Sequence, residues 1–245
     1  MMRRSILVLK TGEALASVKA RRGDFEEWIA EGLLRGLQEV EVAAVYEGEA
    51  LPPVDSHAGV VVTGSPGMVS DREAWSEASG HWLARIVAQD RMPVLGLCYG
   101  HQLIAHGLGG EVGPNPNGRE MGTVETRFEA AGRGQRVAGL APLFEPGAML
   151  AHMSHVESVL HPPAGAQVLA STDLEPHAAL QFGPRQWGVQ FHPEFDREIM
   201  QLYVEVRRES LVAEGLDPDS MITQARETPE SAGVLARFAE IVDRS

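Results

Sequence analysis

The stretch PVLGLCYGHQLIAHGLGG, residues 93–110, decides the fold. Pro93–Leu97 is a short apolar run, the pattern of a strand buried on both faces. Tyr99–Gly107 has helical spacing and is closed by Gly107, Gly109 and Gly110. Between the two runs sits Cys98, the one cysteine in the chain, flanked by Gly96 and Gly100. A nucleophile at a strand-to-helix elbow adopts strained backbone angles, and small residues on both sides relieve the crowding. Gly-x-nucleophile-x-Gly is the sequence form of that elbow. A thiol placed there meets the unpaired N–H groups and the dipole of a helix N-terminus, which favour the thiolate. The competing reading is a small core residue without chemistry, since free cysteine is among the most buried residue types.

Outward from this stretch, strands and helices alternate. Residues 5–10, 41–46 and 58–64 read as strands, the last ended by Gly64-Ser65-Pro66-Gly67. Residues 24–37 carry apolar side chains at 25, 28, 29, 33, 34 and 37, a helical spacing with Asp24 as N-cap. Residues 74–89 read as a helix despite Gly80. Strands apolar on both faces, separated by helices, predict a doubly wound, mostly parallel α/β sheet with helices on both faces. After residue 110, short strand-like runs at 123–128, 148–156, 166–172, 178–182 and 186–192 predict antiparallel additions. Helical spacing returns over 196–214 and 231–244. The expectation is one domain over 1–245, with a core of about 5–195 and a C-terminal helical extension over 196–245.

Composition narrows the function. The balance of 21 basic and 34 acidic residues gives a net charge of −13, which opposes general binding to phosphate backbones. The basic run VKARR, 18–22, reads as a solvated loop. The longest apolar run falls well short of the roughly 20 residues of a membrane span. MMRRSILVLKTG has too short an apolar stretch for a signal peptide, so the reading is cytoplasmic, with no membrane and no nucleic-acid partner. A lone cysteine cannot form an internal disulfide, which fits a reducing compartment.

A cysteine nucleophile needs a base, and the base needs an orienting group. His192 follows a strand in WGVQFHPEF, and Glu194 lies two residues on. In extended chain, positions i and i+2 point to one side, so His192 can accept the Cys98 proton while Glu194 holds its ring. The turn at Gly64 ends another strand and lies on the same sheet edge, where its N–H groups and that of Tyr99 can form an oxyanion hole. Pro66 has no N–H, which leaves Gly64 or Ser65 as the donor. The spacings of His152, His155 and His161 lack the companion ligands of a structural zinc site, and no metal is assigned.

GLCYGHQL together with GVQFHPEF resembles the class I glutamine amidotransferases, with supporting likeness in MSHVESV (153–159) and TGSPGMVSD to the GMP synthase branch. The resemblance covers roughly residues 5–195 and implies their flavodoxin-like glutaminase fold. It also implies a mechanism in which Cys98 attacks the side-chain amide of glutamine, His192 passes the proton to the departing ammonia, and Glu194 orients His192. Water then releases glutamate from a γ-glutamyl thioester. Gln102 matches the family's glutamine after the elbow and is implied to hold substrate; the Ser154–His155 segment is implied to hold the amino-acid head. No cofactor is needed for this half-reaction. The resemblance allows a synthetase partner that receives the ammonia.

The sequence departs from the family's best-known members in three ways: no synthetase domain is read after the glutaminase motifs, Glu157 and Val156 stand where Asp and Gly are usual, and Gly64-Ser65-Pro66 replaces Gly-Gly-Pro. Two other readings therefore stay open: a γ-glutamyl peptidase using the same residues, and a catalytically silent regulatory protein on the same fold.

Overall fold

Ile6 and Val8 face one side of their strand and Leu7 and Leu9 the other, and all four are buried. The same split recurs between Val61 and its neighbours Val60 and Val62, and between Leu95 and Val94. Two cores therefore lie on opposite faces of one sheet, which is what an apolar strand without a polar face requires. The computed structural model describes residues 5–33, 39–129, 143–144 and 147–245.

The strands are β1 (Ile6–Lys10), β2 (Val40–Ala44), β3 (Gly59–Val62), β4 (Val94–Leu97), β5 (Glu111–Pro114), β6 (Glu120–Phe128), β7 (Gly147–His155), β8 (Glu157–His161), β9 (Gln167–Ser171), β10 (Ala179–Gly183) and β11 (Gln186–Val189). Among the described residues, nine of them form one sheet in the order β2-β1-β3-β4-β11-β10-β9-β6-β7, and β5 pairs with β8 separately. The first five in that order run parallel. The remaining four are joined to them and to one another antiparallel. The parallel strands end on a common edge, so Thr11, Thr63, Cys98 and Gln190 emerge side by side.

The helices are α1 (Ala16–Arg22), α2 (Phe25–Leu33), α3 (Ala74–Ala88), α4 (Tyr99–Gly107), α5 (Arg197–Val206), α6 (Arg208–Ala213), α7 (Pro218–Gln224) and α8 (Pro229–Asp243). Helices α2, α5 and α8 cover one face, through Trp28, Ile29, Met200, Leu235 and Phe238. Helices α3 and α4 cover the other, through Leu83, Ile86, Leu103 and Ile104. Gly80, an unfavourable residue inside a helix, marks the crossing of α3 with α4: a Cβ on Gly107 would lie 2.3 Å from the Gly80 carbonyl oxygen.

The alternating α/β reading and the antiparallel second half are both observed. Some local expectations are corrected. VKARR is the body of α1, not a solvated loop. Val18 anchors it in the core, and two of its three cations are paired, Lys19 with Glu13 and Asp24, Arg22 with Asp196 and Glu198. The second strand stops at Ala44 and passes into a 3-10 turn over Val45–Glu47. Positions 34 and 37 of the expected 24–37 helix lie outside the described residues. The helical run 196–214 breaks at Arg207 into α5 and α6. No helix among the described residues is long and apolar enough to cross a membrane.

Candidate active site

Cys98 has φ 49° and ψ −100°, in the region that L-residues rarely enter. The flanking glycines are sterically required. A Cβ on Gly96 would lie 2.5 Å from the Gly100 carbonyl oxygen, and one on Gly100 would lie 2.5 Å from the Val62 carbonyl oxygen. Backbone of β3, β4 and α4 therefore meets at the elbow more closely than any side chain permits. The Cys98 N–H donates to the Val189 carbonyl of β11 at 2.8 Å, which ties the strained residue to the strand that leads to His192. Tyr99 opens α4, so its N–H belongs to the first helical turn, which has no intrahelical acceptor.

His192 lies three residues beyond β11, and its Nδ1 is 2.7 Å from Glu194 Oε1. The link is made in a turn rather than in extended chain, because the Phe195 N–H donates back to the His192 carbonyl at 3.3 Å. Phe195 stacks on the imidazole with ring centroids 4.1 Å apart, and Phe25 of α2 lies nearly parallel at 6.2 Å. The His192 N–H donates to the His152 carbonyl at 2.9 Å. Plane, tilt and backbone are thus all held. Burial works against the charged imidazole, but the Glu194 carboxylate and then the Cys98 sulfur more than offset it, and the His192 pKa is raised. His152 responds in the opposite sense: burial, then the neighbouring His192, push it down to about 4.

One cleft, open to solvent, is lined by Cys98, Tyr99, Gln102, Ser65, Ser154 and His155. Gly64 is not among its lining residues. It packs against His192, where a Cβ would lie 3.0 Å from Cε1, and its carbonyl accepts from the Thr11 and Thr63 hydroxyls. Gln102 spends both amide hydrogens inside the protein, on the Glu157 carbonyl at 2.8 Å and Gln190 Oε1 at 3.0 Å. His155 is likewise engaged, with Nδ1 at 2.9 Å from the Glu157 carbonyl and Nε2 at 3.3 Å from Glu120. Glu157 accepts from both the hydroxyl and the N–H of Ser70, which pins the turn after β3 to the start of β8.

Three side chains at the site escaped the sequence reading. Gln190 donates from Nε2 to the Cys98 sulfur at 3.4 Å; its place two residues before His192 was the available signal. Arg119 and Arg207 also line the cleft, and no local motif marks either one. Among the described residues no group of three or more His, Cys, Asp or Glu is placed to hold a metal ion. His161 instead pairs with Glu111 on the surface.

The family model for class I glutamine amidotransferases matches residues 23–204. The chain belongs to that family. The GMP synthase [glutamine-hydrolyzing] of Aeropyrum pernix is 42% identical over 158 residues, 62% of this chain and 28% of that protein. The Porphyromonas gingivalis protein of the same name is 32% identical over 178 residues, 70% of this chain and 32% of its own length. The chain thus spans about a third or less of these relatives. Solved structures of glutamine amidotransferases from Thermotoga maritima and Methylobacillus flagellatus share the fold, each with a TM-score of 0.76 over 99% of this chain, at 19% and 18% identity. The matches cover 100% and 94% of those chains.

Proposed function

We propose that this amidotransferase hydrolyses the γ-amide of glutamine to glutamate and ammonia through a γ-glutamyl thioester on Cys98. The observations that carry this reading are the strained, glycine-bracketed Cys98 and the buried His192, held by Glu194 at 2.7 Å and raised in basicity by Glu194 and the Cys98 sulfur. The Cys98 sulfur attacks the amide carbon. His192, charged by the thiol proton, returns that proton to the nitrogen as the C–N bond breaks, and ammonia leaves. Water then gives a proton to His192 while its oxygen attacks the thioester. The C–S bond breaks, glutamate departs, and the proton returns to the sulfur.

The other roles follow from position. The Tyr99 N–H with that of Ser65 or Gly64 receives the developing oxyanion. Gln102, Ser154 and His155 shape the subsite for the amino-acid head: Gln102 and His155 chiefly as fixed walls, given their internal bonds, and Ser154 as the group that still faces the cleft. We read residues 1–245 as one amidotransferase-like domain that includes its extension. The relatives named for glutamine-dependent GMP synthesis support a synthetase partner that takes the ammonia. The hydrolytic half-reaction needs no cofactor, and the single thiol suits the reducing cytoplasm.

A second reading, hydrolysis of γ-glutamyl peptides by the same triad, is favoured by the two guanidinium groups that face the cleft. Turnover of L-glutamine and of γ-glutamylglycine by the purified protein, measured side by side, separates the two. Clear preference for the dipeptide transfers the assignment to the second reading. Treatment with a glutamine-mimicking electrophile, followed by peptide mass spectrometry, tests both at once. Modification at Cys98 is expected at neutral pH; an unmodified Cys98 with no glutamate release would leave a catalytically silent protein.

A further inference from the structure

We propose that Arg207 is the residue through which the cleft recognises a substrate carboxylate, with Arg119 reinforcing the positive field around it. This rests on the hydrolase reading above and adds the chemical class of group that the cleft selects.

Arg119 lies just before β6, and Arg207 follows the last residue of α5, beyond the family-model match that ends at 204. Two cations face one cleft in a chain of net charge −13, against the overall balance. Their situations differ. Arg119 is committed: Nε and a terminal nitrogen donate to the two Glu214 oxygens at 2.7 and 2.8 Å. The Arg207 guanidinium makes no hydrogen bond or ion pair among the described residues, and its Nε is buried without a partner. The acids within reach of the cleft are already engaged, Glu214 by Arg119 and Glu157 by Ser70.

A guanidinium that is partly desolvated and unpaired is costly to keep, and a carboxylate is the ligand that fits its planar fork with two parallel bonds. The electrostatics agree. Burial first, then Arg119, depress the basicity of Arg207, while the Cys98 sulfur is one of the charges that sustain it; Arg207 and Cys98 line the same cleft. Every γ-glutamyl compound brings a carboxylate on its amino-acid head, and a γ-glutamyl dipeptide brings a second beyond the scissile bond. Both sources share the chemistry that Arg207 recognises.

The test is steady-state kinetics of the full chain and its Arg207→Gln and Arg207→Lys variants on three substrates: L-glutamine, γ-glutamylglycine and γ-glutamylmethylamide. A parallel calorimetric titration follows L-glutamate binding to Cys98→Ala protein, with and without Arg207→Gln. Loss of the charged contact is expected to raise KM about ten- to hundredfold, well beyond any fall in kcat, with Arg207→Lys in between. An increase on all three substrates, with matching loss of glutamate affinity, places the contact on the head carboxylate. An increase confined to γ-glutamylglycine places it beyond the scissile bond. KM values and glutamate affinity within twofold of the parent protein, in variants with unaltered thermal midpoints, overturn the proposal. If the wild-type protein hydrolyses none of the three yet binds glutamate through Arg207, the hydrolase reading fails and the carboxylate site survives. Turnover that is indifferent to Arg207 sinks the carboxylate site alone.

Discussion

The His192 imidazole is fixed from several directions at once, by Glu194 at Nδ1, by the Phe195 ring and by its own backbone bond to His152. Removing the base should cost more than loosening it. His192→Ala is expected to lower kcat by about 10²–10⁴-fold, the range for a positioned general base, and Glu194→Gln by less, since the base remains. Glutamate release under saturating glutamine checks the order of the two. The raised pKa of His192 also carries a stability signature. Its folded value lies above its ordinary 6.5, at about 10, so stability from the protonated ring is complete below 6.5 and is lost as pH rises toward 10. Urea midpoints across that window should fall with pH in the wild type, and fall less in Glu194→Gln, where the main charge that raises the ring is gone. At this scale the sequence was most legible for residues whose chemistry needs a local pattern. Cys98 carries its glycine bracket and His192 its Pro-Glu neighbours. Gln190, Arg119 and Arg207 reach the site through tertiary packing, which leaves no mark in adjacent residues.

The elbow is a problem of space before it is one of reactivity. Val62 of β3, Gly96 of β4 and Gly100 of α4 approach so closely that a single methyl group has no room. Gly100→Ala drives a Cβ into the Val62 carbonyl. It should cost about 1–3 kcal/mol in chemical denaturation through forced backbone shifts, and should depress hydrolysis further by displacing Cys98. Loss of stability without loss of turnover would show that the elbow geometry is not what sets the rate. Strand and helix types were readable wherever burial was two-sided or periodic, as in β3 and α3. Helix α1 was not, because in VKARR one apolar residue, Val18, does the anchoring while ion pairs outside the run, Lys19 with Asp24 and Arg22 with the distant Asp196, hold the polar side. The His-Pro-Glu segment brings its two side chains together as the pattern predicts, but through a turn closed by Phe195 instead of the zigzag of a strand.

Across the whole molecule, the C-terminal helices are built into the core. Phe238 of α8 is fully buried in the cluster that also holds Ile29, Leu95 and Phe195, and a Cβ on Gly32 of α2 would meet Leu235 at 2.4 Å. Phe238→Ala should therefore cost about 3–5 kcal/mol, as a large buried aromatic does, whereas a peripheral appendage would cost far less; thermal or urea unfolding decides. Periodicity alone showed that helices follow residue 196, but not what they pack against, because an amphipathic pattern does not name its partner. The same extension delivers Arg207 to the cleft, so fold completion and substrate recognition are joined in one segment. The central claim, that this assembly presents Cys98 as the nucleophile of γ-glutamyl hydrolysis, is tested most directly by glutamate release from L-glutamine and γ-glutamylglycine, compared between wild-type and Cys98→Ala protein of equal thermal midpoint. Release by the wild type with none above background in Cys98→Ala is the predicted result; release by Cys98→Ala at the wild-type rate would contradict it.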